Sequence, residues 1–356
     1  MKKLLLASAI AALSVSAANA APTLYGKAFV TADYVNAEFD AAGSVNDYDE
    51  DTVEINSNSS RIGIRGSEAM TANTDVIYQL EYGTRVDGDS DGFSNRDTYL
   101  GLVNKQFGEF RAGKNQSTLD YVNNVVVNDG YWDNLGGNKL EKDENFGGLN
   151  MADSSRINSS IVWKTPKYNN LPLELAVMYS SDEANGNKDD GFGAALMFDQ
   201  GTGFTAGVAY DKDQNINGDI IRGTATVDLG KYVAAPITLG ALYQVANFDG
   251  LGSGDEDEKG LVLSAAMGLS NFARPATIYA QYNKTDNLNG WNNADSDQIV
   301  VGGKYFYKDN IIAHAYAGVN NADNVRSVNI DGDNVTYGSY GDGEVFVIGT
   351  GLEYKF

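Results

Sequence analysis

Cysteine is absent from this 356-residue chain, so no disulfide and no thiolate metal site holds it together. A single histidine, His314, removes most hydrolase and metal-centre arrangements, which draw on several imidazoles. Basic residues are scarce, with 26 Lys and Arg against 48 Asp and Glu, which excludes nucleic acid as a partner because phosphate binding needs a basic footprint. Beyond the N-terminus no run of 18 apolar residues occurs, so no transmembrane helix is expected. Barrel strands survive that test, since each needs only about 9 to 11 alternating residues.

What is present suits strands and turns: 40 Gly, 21 Tyr and 14 Phe with only 5 Pro. The first twenty residues, MKKLLLASAIAALSVSAANA, combine Lys2 and Lys3, an apolar stretch from Leu4 and a small-residue end. They read as a secretory signal peptide with cleavage expected after Ala20. Removing them takes the basic residues from 26 to 24 and the formal charge from −22 to −24.

From there to Phe356 a single domain is expected. Pairs of alternating segments flank tight turns, and longer polar tracts separate the pairs. About sixteen strands result, joined by seven short turns and eight longer loops, the rhythm of a transmembrane antiparallel β-barrel in the outer membrane. A soluble sandwich has no reason to keep its long connections at one end. In EVFVIGTGLEYKF, Phe346, Ile348, Thr350, Leu352, Tyr354 and Phe356 share a face opposite Val347, Gly349, Gly351, Glu353 and Lys355. In RINSSIVW, Ile157, Ile161 and Trp163 are expected on one face and Arg156, Asn158, Ser160 and Val162 on the other.

The exception to the alternation is 115–153, NQSTLDYVNNVVVNDGYWDNLGGNKLEKDENFGGLNMAD, and ordered loops of that length are usually functional. The remaining pattern places strand charges inward, because Arg or Lys at the lipid midplane costs roughly 2 to 4 kcal/mol. Lys27, Arg61, Arg96 and Arg156 all alternate against apolar or small neighbours and are expected to project into the lumen, as independent solvated charges or as a set. Acidic runs DYDED at 47–51, DGDSDG at 87–92 and DEDE at 255–258 would crowd the outer mouth. Carboxylates there raise local cation concentration, giving a modest cation preference. They are read either as solvated repulsive loops or as holding divalent cations that bridge lipid headgroups. DGDSDG also imitates an EF-hand start, but Thr98 stands where the bidentate Glu belongs, and no metal or cofactor is expected.

Several segments together resemble the general diffusion porins of the Gram-negative outer membrane: LYGKA at 24–28, SRIGIRGSE at 60–68, YLGL and GEFRAGK within 99–114, NFGG at 145–148 and the terminal Phe356. The resemblance implies a sixteen-stranded homotrimeric barrel in which the third external loop, here 115–153, folds inward and narrows the channel. It also implies that Lys27, Arg61, Arg96 and Arg156 act together across from acidic residues on that loop. The family's acidic position is Asn145 here, so Glu141, Asp143 and Glu144 are the candidates for the negative pole. Phe356 with Tyr354 resembles the insertion signature of outer-membrane proteins, though lipid-facing packing would also select these residues.

The function expected is passive diffusion of ions and small hydrophilic solutes, with lipid, lipopolysaccharide and sister subunits as partners. Two other readings stay open. A substrate-specific channel could use Tyr25, Phe29, Tyr121, Tyr131 and Trp132 as an aromatic track. A barrel enzyme would have to rest on His314, which has no evident Ser or Asp partner in the sequence.

Overall fold

The computed structural model describes residues 21–41, 47–88, 92–133, 149–166, 172–181, 190–250, 252–331 and 334–356. The leading 1–20 segment lies outside this set, as do Glu141, Asp143, Glu144 and Asn145.

Alternating segments become strands. The first six are β1 (Thr23–Ala41), β2 (Tyr48–Ser57), β3 (Arg61–Ala69), β4 (Thr74–Thr84), β5 (Phe93–Asn104) and β6 (Gly108–Gln116). Beyond the long loop come β7 (Arg156–Lys164), β8 (Leu173–Ser180), β9 (Gly191–Asp199), β10 (Phe204–Lys212), β11 (Gly218–Asp228) and β12 (Ile237–Phe248). The wall is completed by β13 (Glu258–Leu269), β14 (Ala276–Asp286), β15 (Asp295–Lys308), β16 (Ile311–Asp331) and β17 (Asn334–Lys355). Each strand pairs antiparallel with a sequence neighbour, and β17 returns to β1 to close the sheet. The seam is finished by Gly26 N donating to Phe356 O at 2.9 Å and Phe356 N to Gly26 O at 3.1 Å.

The sheet's 17 strands make sixteen staves. β1 pairs with β3 through residues 23–27 and with β2 through 30–39, so β2 and β3 are one stave interrupted at 58–60, where Ser59 has φ of 49°. Connections at one rim include the tight 105–107 and 309–310, though 165–172 and 229–236 there are longer. The other rim carries the long 117–155, but its last connection, 332–333, is two residues because β16 and β17 extend across the stretch expected as a long loop. In the 105–107 turn Asn104 Oδ1 accepts Gln106 N and Phe107 N before Gly108 re-enters the sheet at φ of 88°.

Side-chain parity divides the wall into two faces. Leu100, Leu196, Ile221, Leu263, Ile299, Ile348 and Leu352 are exposed on one, while Arg222, Gln244, Ser264, Gln281, Gln298 and Asn320 are buried on the other. In a closed barrel this is the arrangement that presents apolar side chains to lipid and hides polar ones. The last strand follows the expected alternation, with Val345, Val347 and Glu353 buried between exposed Phe346, Ile348, Leu352 and Tyr354.

Two strands break it. Ile157 does not share a face with Ile161: it is buried with Val162 and Met178, whereas Ile161 is exposed. Ser159 adopts φ of 46° and the β6–β7 register shifts between Gly113 and Asn115, which resets the side-chain phase. In β5, Tyr99 and Arg96 are both half-buried on the polar side, because the β4–β5 register shifts between Leu80 and Tyr82 and Glu81 faces both Arg96 and Asp97.

The described parts of the long loop, 117–133 and 149–155, lie against the polar face of the wall. A short 3-10 helix, Thr118–Val122, buries Leu119 and Val122 against Ala195, Ala209 and Ile220. The chain then runs along successive strands. Ser264 Oγ donates to Val125 O at 2.5 Å, Val127 N donates to Gln281 Oε1 at 2.9 Å, and Tyr131 N donates to the Tyr316 hydroxyl at 3.1 Å. At Gly130, with φ of 68°, the Tyr316 ring fills the space a side chain would take. Trp132 is fully buried nearby. On the return, Asn320 Nδ2 donates to Leu149 O at 3.2 Å and Asn150 Nδ2 to Gln298 Oε1 at 2.8 Å.

Candidate functional site

Four cations predicted from separate strands meet. Lys27 on β1, Arg61 on β3, Arg96 on β5 and Arg156 at the start of β7 line one polar cavity of about 430 Å³. The same cavity is lined by Asp120, Asp129 and Asp133 from the long loop, together with Gln116, Ser154 and Ser155. The cavity walls thus carry basic groups from the barrel and acidic groups from the loop.

The basic groups are held by carboxylates built into the wall. Glu81 on β4 accepts Arg96 Nε at 2.7 Å, lies 3.6 Å from Arg61 Nε and accepts the Tyr25 hydroxyl at 3.0 Å. Asp97 on β5 accepts Arg156 Nε at 2.8 Å. Lys27 Nζ donates to Ser59 Oγ at 2.6 Å and sits 5.4 Å from the Phe29 ring centroid. Glu81 is shared by Arg61 and Arg96 and Asp97 holds Arg156, so the three guanidinium groups are pre-organised by wall carboxylates.

On the loop side, Asp129 pairs with Lys304 of β15. Asp120 Oδ1 accepts Ser154 Oγ at 3.0 Å, and burial pushes the Asp120 carboxyl above the usual aspartate range. Asp129 and Asp133 act on Lys27 as opposite charges while Arg61 acts as a like charge. Counting Glu81 and Asp97, five carboxylates and four cations line one space.

The sequence profile described as Gram-negative porin matches residues 7–327. The chain belongs to that family. Among curated relatives, the major outer membrane protein P.IB of Neisseria sicca is 37% identical over 119 residues, 33% of this chain and 32% of the relative. The P.IB protein of Neisseria meningitidis serogroup B is 27% identical over 334 residues, covering 89% of this chain and 93% of the relative. The match to another meningococcal P.IB, from strain H44/76, spans 61% of that protein's length. Among solved structures, the anion-selective porin from Comamonas acidovorans superposes with a TM-score of 0.69 at 19% identity, covering 95% of this chain and all of that one. The trimer form of OmpT from Vibrio cholerae gives 0.60 at 14% identity, over 95% of this chain and 100% of that one. This porin is therefore an outer-membrane β-barrel.

One sequence expectation for the porin is revised at the site, and another lies outside the described residues. The negative pole expected from Glu141, Asp143 and Glu144 lies outside the described residues; among the described loop residues the carboxylates lining the cavity are Asp120, Asp129 and Asp133. Glu81 and Asp97 were not anticipated. Glu258, expected among the mouth carboxylates of DEDE, is buried and accepts Ala152 N at 2.7 Å and Asn289 N at 2.9 Å.

The aromatic candidates are engaged in packing. Phe29 and Trp132 are buried, Tyr121 carries Lys164 4.4 Å from its centroid, and Tyr131 meets Trp132 edge-on at 5.5 Å. His314 is buried too, with Nε2 3.1 Å from Glu353 Oε2 and its ring 4.5 Å from Phe29. Phe356 and Tyr354 are exposed on the apolar face, their centroids 6.0 Å apart.

Proposed function

We propose that this porin forms a water-filled channel for passive diffusion of ions and small hydrophilic solutes. In this reading residues 1–20 are the export signal, 21–356 form the barrel, and 115–153 runs inside it to set the size limit. Three copies assemble in the outer membrane, in contact with lipid and lipopolysaccharide.

The observation that carries the reading is the cavity that Lys27, Arg61, Arg96 and Arg156 line together with Asp120, Asp129 and Asp133. Opposed charges across a narrow aqueous gap orient water and dipolar solutes and disfavour apolar ones, so selectivity arises from width and field with no bond made or broken. Five carboxylates against four cations, with acidic outer loops above them, support a modest cation preference.

A substrate-specific channel would need free aromatic faces along the path, and those considered for it are committed to packing. A barrel hydrolase would need His314 beside a nucleophile and water, whereas it is buried in a tilted contact with the Phe29 ring and paired with Glu353.

Swelling of liposomes containing the purified protein, in sugars of graded size, tests the proposal. Uptake should fall steeply with solute size and show no saturation. Saturable uptake of one sugar, or none at all, would contradict it.

A further inference from the structure

Both arms of the long loop converge on one buried guanidinium. Arg222 on β11 is fully buried, where no ion can pass it and where a guanidinium is tolerated only with its donors met. Its Nη1 donates to Leu119 O of the outgoing arm at 3.5 Å, and its Nη2 lies 3.5 Å from Asp153 Oδ1 of the returning arm. Its Nε donates at 2.8 Å to Gln244 Oε1, directly opposite in the β11–β12 register.

Gln244 extends the grip, its Nε2 donating to Ala152 O at 2.6 Å. Glu258 on β13 takes the Ala152 amide and binds Asn289 N in the β14–β15 connection. Leu119 and Ile220 belong to the adjoining apolar cluster, while Asp120 and the buried Asp211 of β10 act on Arg222 as further opposite charges. A hydrocarbon side chain there would leave Leu119 O, Asp153 and Gln244 Oε1 without this donor, so the guanidinium has a holding role rather than merely filling space.

We propose that Arg222, relayed through Gln244, is a positioning residue that locks the two arms together and so fixes Asp120 at the cavity wall. Asp120 follows Leu119 in sequence, and Ser154, which follows Asp153, donates to it at 3.0 Å. Arg222 does not line the cavity; it acts through the loop. The inference rests on the reading that the loop narrows the channel.

Planar-bilayer recordings of Arg222→Gln and Asp120→Asn separate the two ideas. Arg222→Gln should keep the heat-resistant oligomer and the strand spectrum in far-ultraviolet dichroism. Its open-channel current should be several-fold noisier, and its reversal potential in a KCl gradient should move toward chloride. Asp120→Asn should move the reversal potential the same way without the added noise.

Because the chain has no cysteine, Val125→Cys with Ser264→Cys can tie the loop to β13 by a single disulfide, which should quiet the current of Arg222→Gln. Should Arg222→Gln fail to assemble, Gln244→Leu carries the same test, with added noise expected and an unchanged current overturning the proposal. Parental noise and reversal potential in Arg222→Gln, or noise that the disulfide does not quiet, overturn the clamp. If Asp120→Asn is equally silent, the reading of the loop as a constriction falls with it; a shift in Asp120→Asn confines the failure to Arg222.

Discussion

Glu81 and Arg96 form the tightest charged contact in the basic row, Nε to Oε1 at 2.7 Å, across the position where the β4–β5 register shifts. The same carboxylate lies 3.6 Å from Arg61 Nε, so one negative charge spaces two guanidinium groups that would otherwise repel. Removing it changes the net charge of the cavity lining and frees both arginines.

Glu81→Gln should therefore lower cation preference. A unit charge about 8 Å from the ion path in a medium of effective dielectric about 40 contributes roughly 1 kcal/mol, so the potassium-to-chloride permeability ratio should fall several-fold in dilute salt. Reversal potentials measure this, and an unchanged ratio would place Glu81 outside the conduction path.

Asp120 gives the channel a pH response. Its carboxyl titrates above the usual aspartate range because burial disfavours the charged form, so it is neutralised early as the pH falls. Five carboxylates against four cations become four against four, and cation preference should decline on acidification from pH 7 before ordinary carboxylates protonate. The Asp120→Asn channel should lack that first decline and meet the parent at lower pH.

Acidic outer loops act through space and are screened by salt. Since the Debye length falls from about 30 Å at 0.01 M to about 3 Å at 1 M, their share of the cation preference should vanish in concentrated KCl, leaving the contribution of the cavity itself. Reversal potentials at fixed gradient ratio and rising mean salt would show it.

The barrel seam depends on a residue without a side chain. A Cβ at Gly26 would collide with the Phe356 ring and lie 2.8 Å from Arg61 O, at the position where Gly26 and Phe356 exchange backbone hydrogen bonds. Gly26→Val should lower the temperature at which the folded band converts to the unfolded one on gels. Deleting Phe356 should reduce the yield of assembled barrel.

Much of this was legible in the sequence because a barrel wall obeys one rule, alternation between lipid and lumen. The rule gave the sixteen staves and the outward face of the last strand, and it singled out Lys27 and Arg61, which line one cavity. Applied to acidic residues it also places Glu81 inward in VIYQLEYG, a signal that attention to basic residues alone passes over. Asp97 could not be read this way, since a register shift turns it and Arg96 to the same side. Ile157 was misplaced for the same kind of reason, at Ser159. Asp120, Asp129 and Asp133 lie in a loop without periodicity, positioned by contacts to Arg222, Lys304 and Tyr316 up to 185 residues away in sequence.

The most direct test of the central account uses the absence of cysteine. Single thiols introduced by Arg96→Cys, Asp133→Cys and, on the exposed apolar face, Leu100→Cys can be treated with a charged methanethiosulfonate reagent while single-channel current is recorded. If the barrel cations and loop carboxylates line one aqueous path, modification at Arg96→Cys and Asp133→Cys lowers the conductance and modification at Leu100→Cys leaves it unchanged. Full current after complete modification of both cavity thiols would contradict the account.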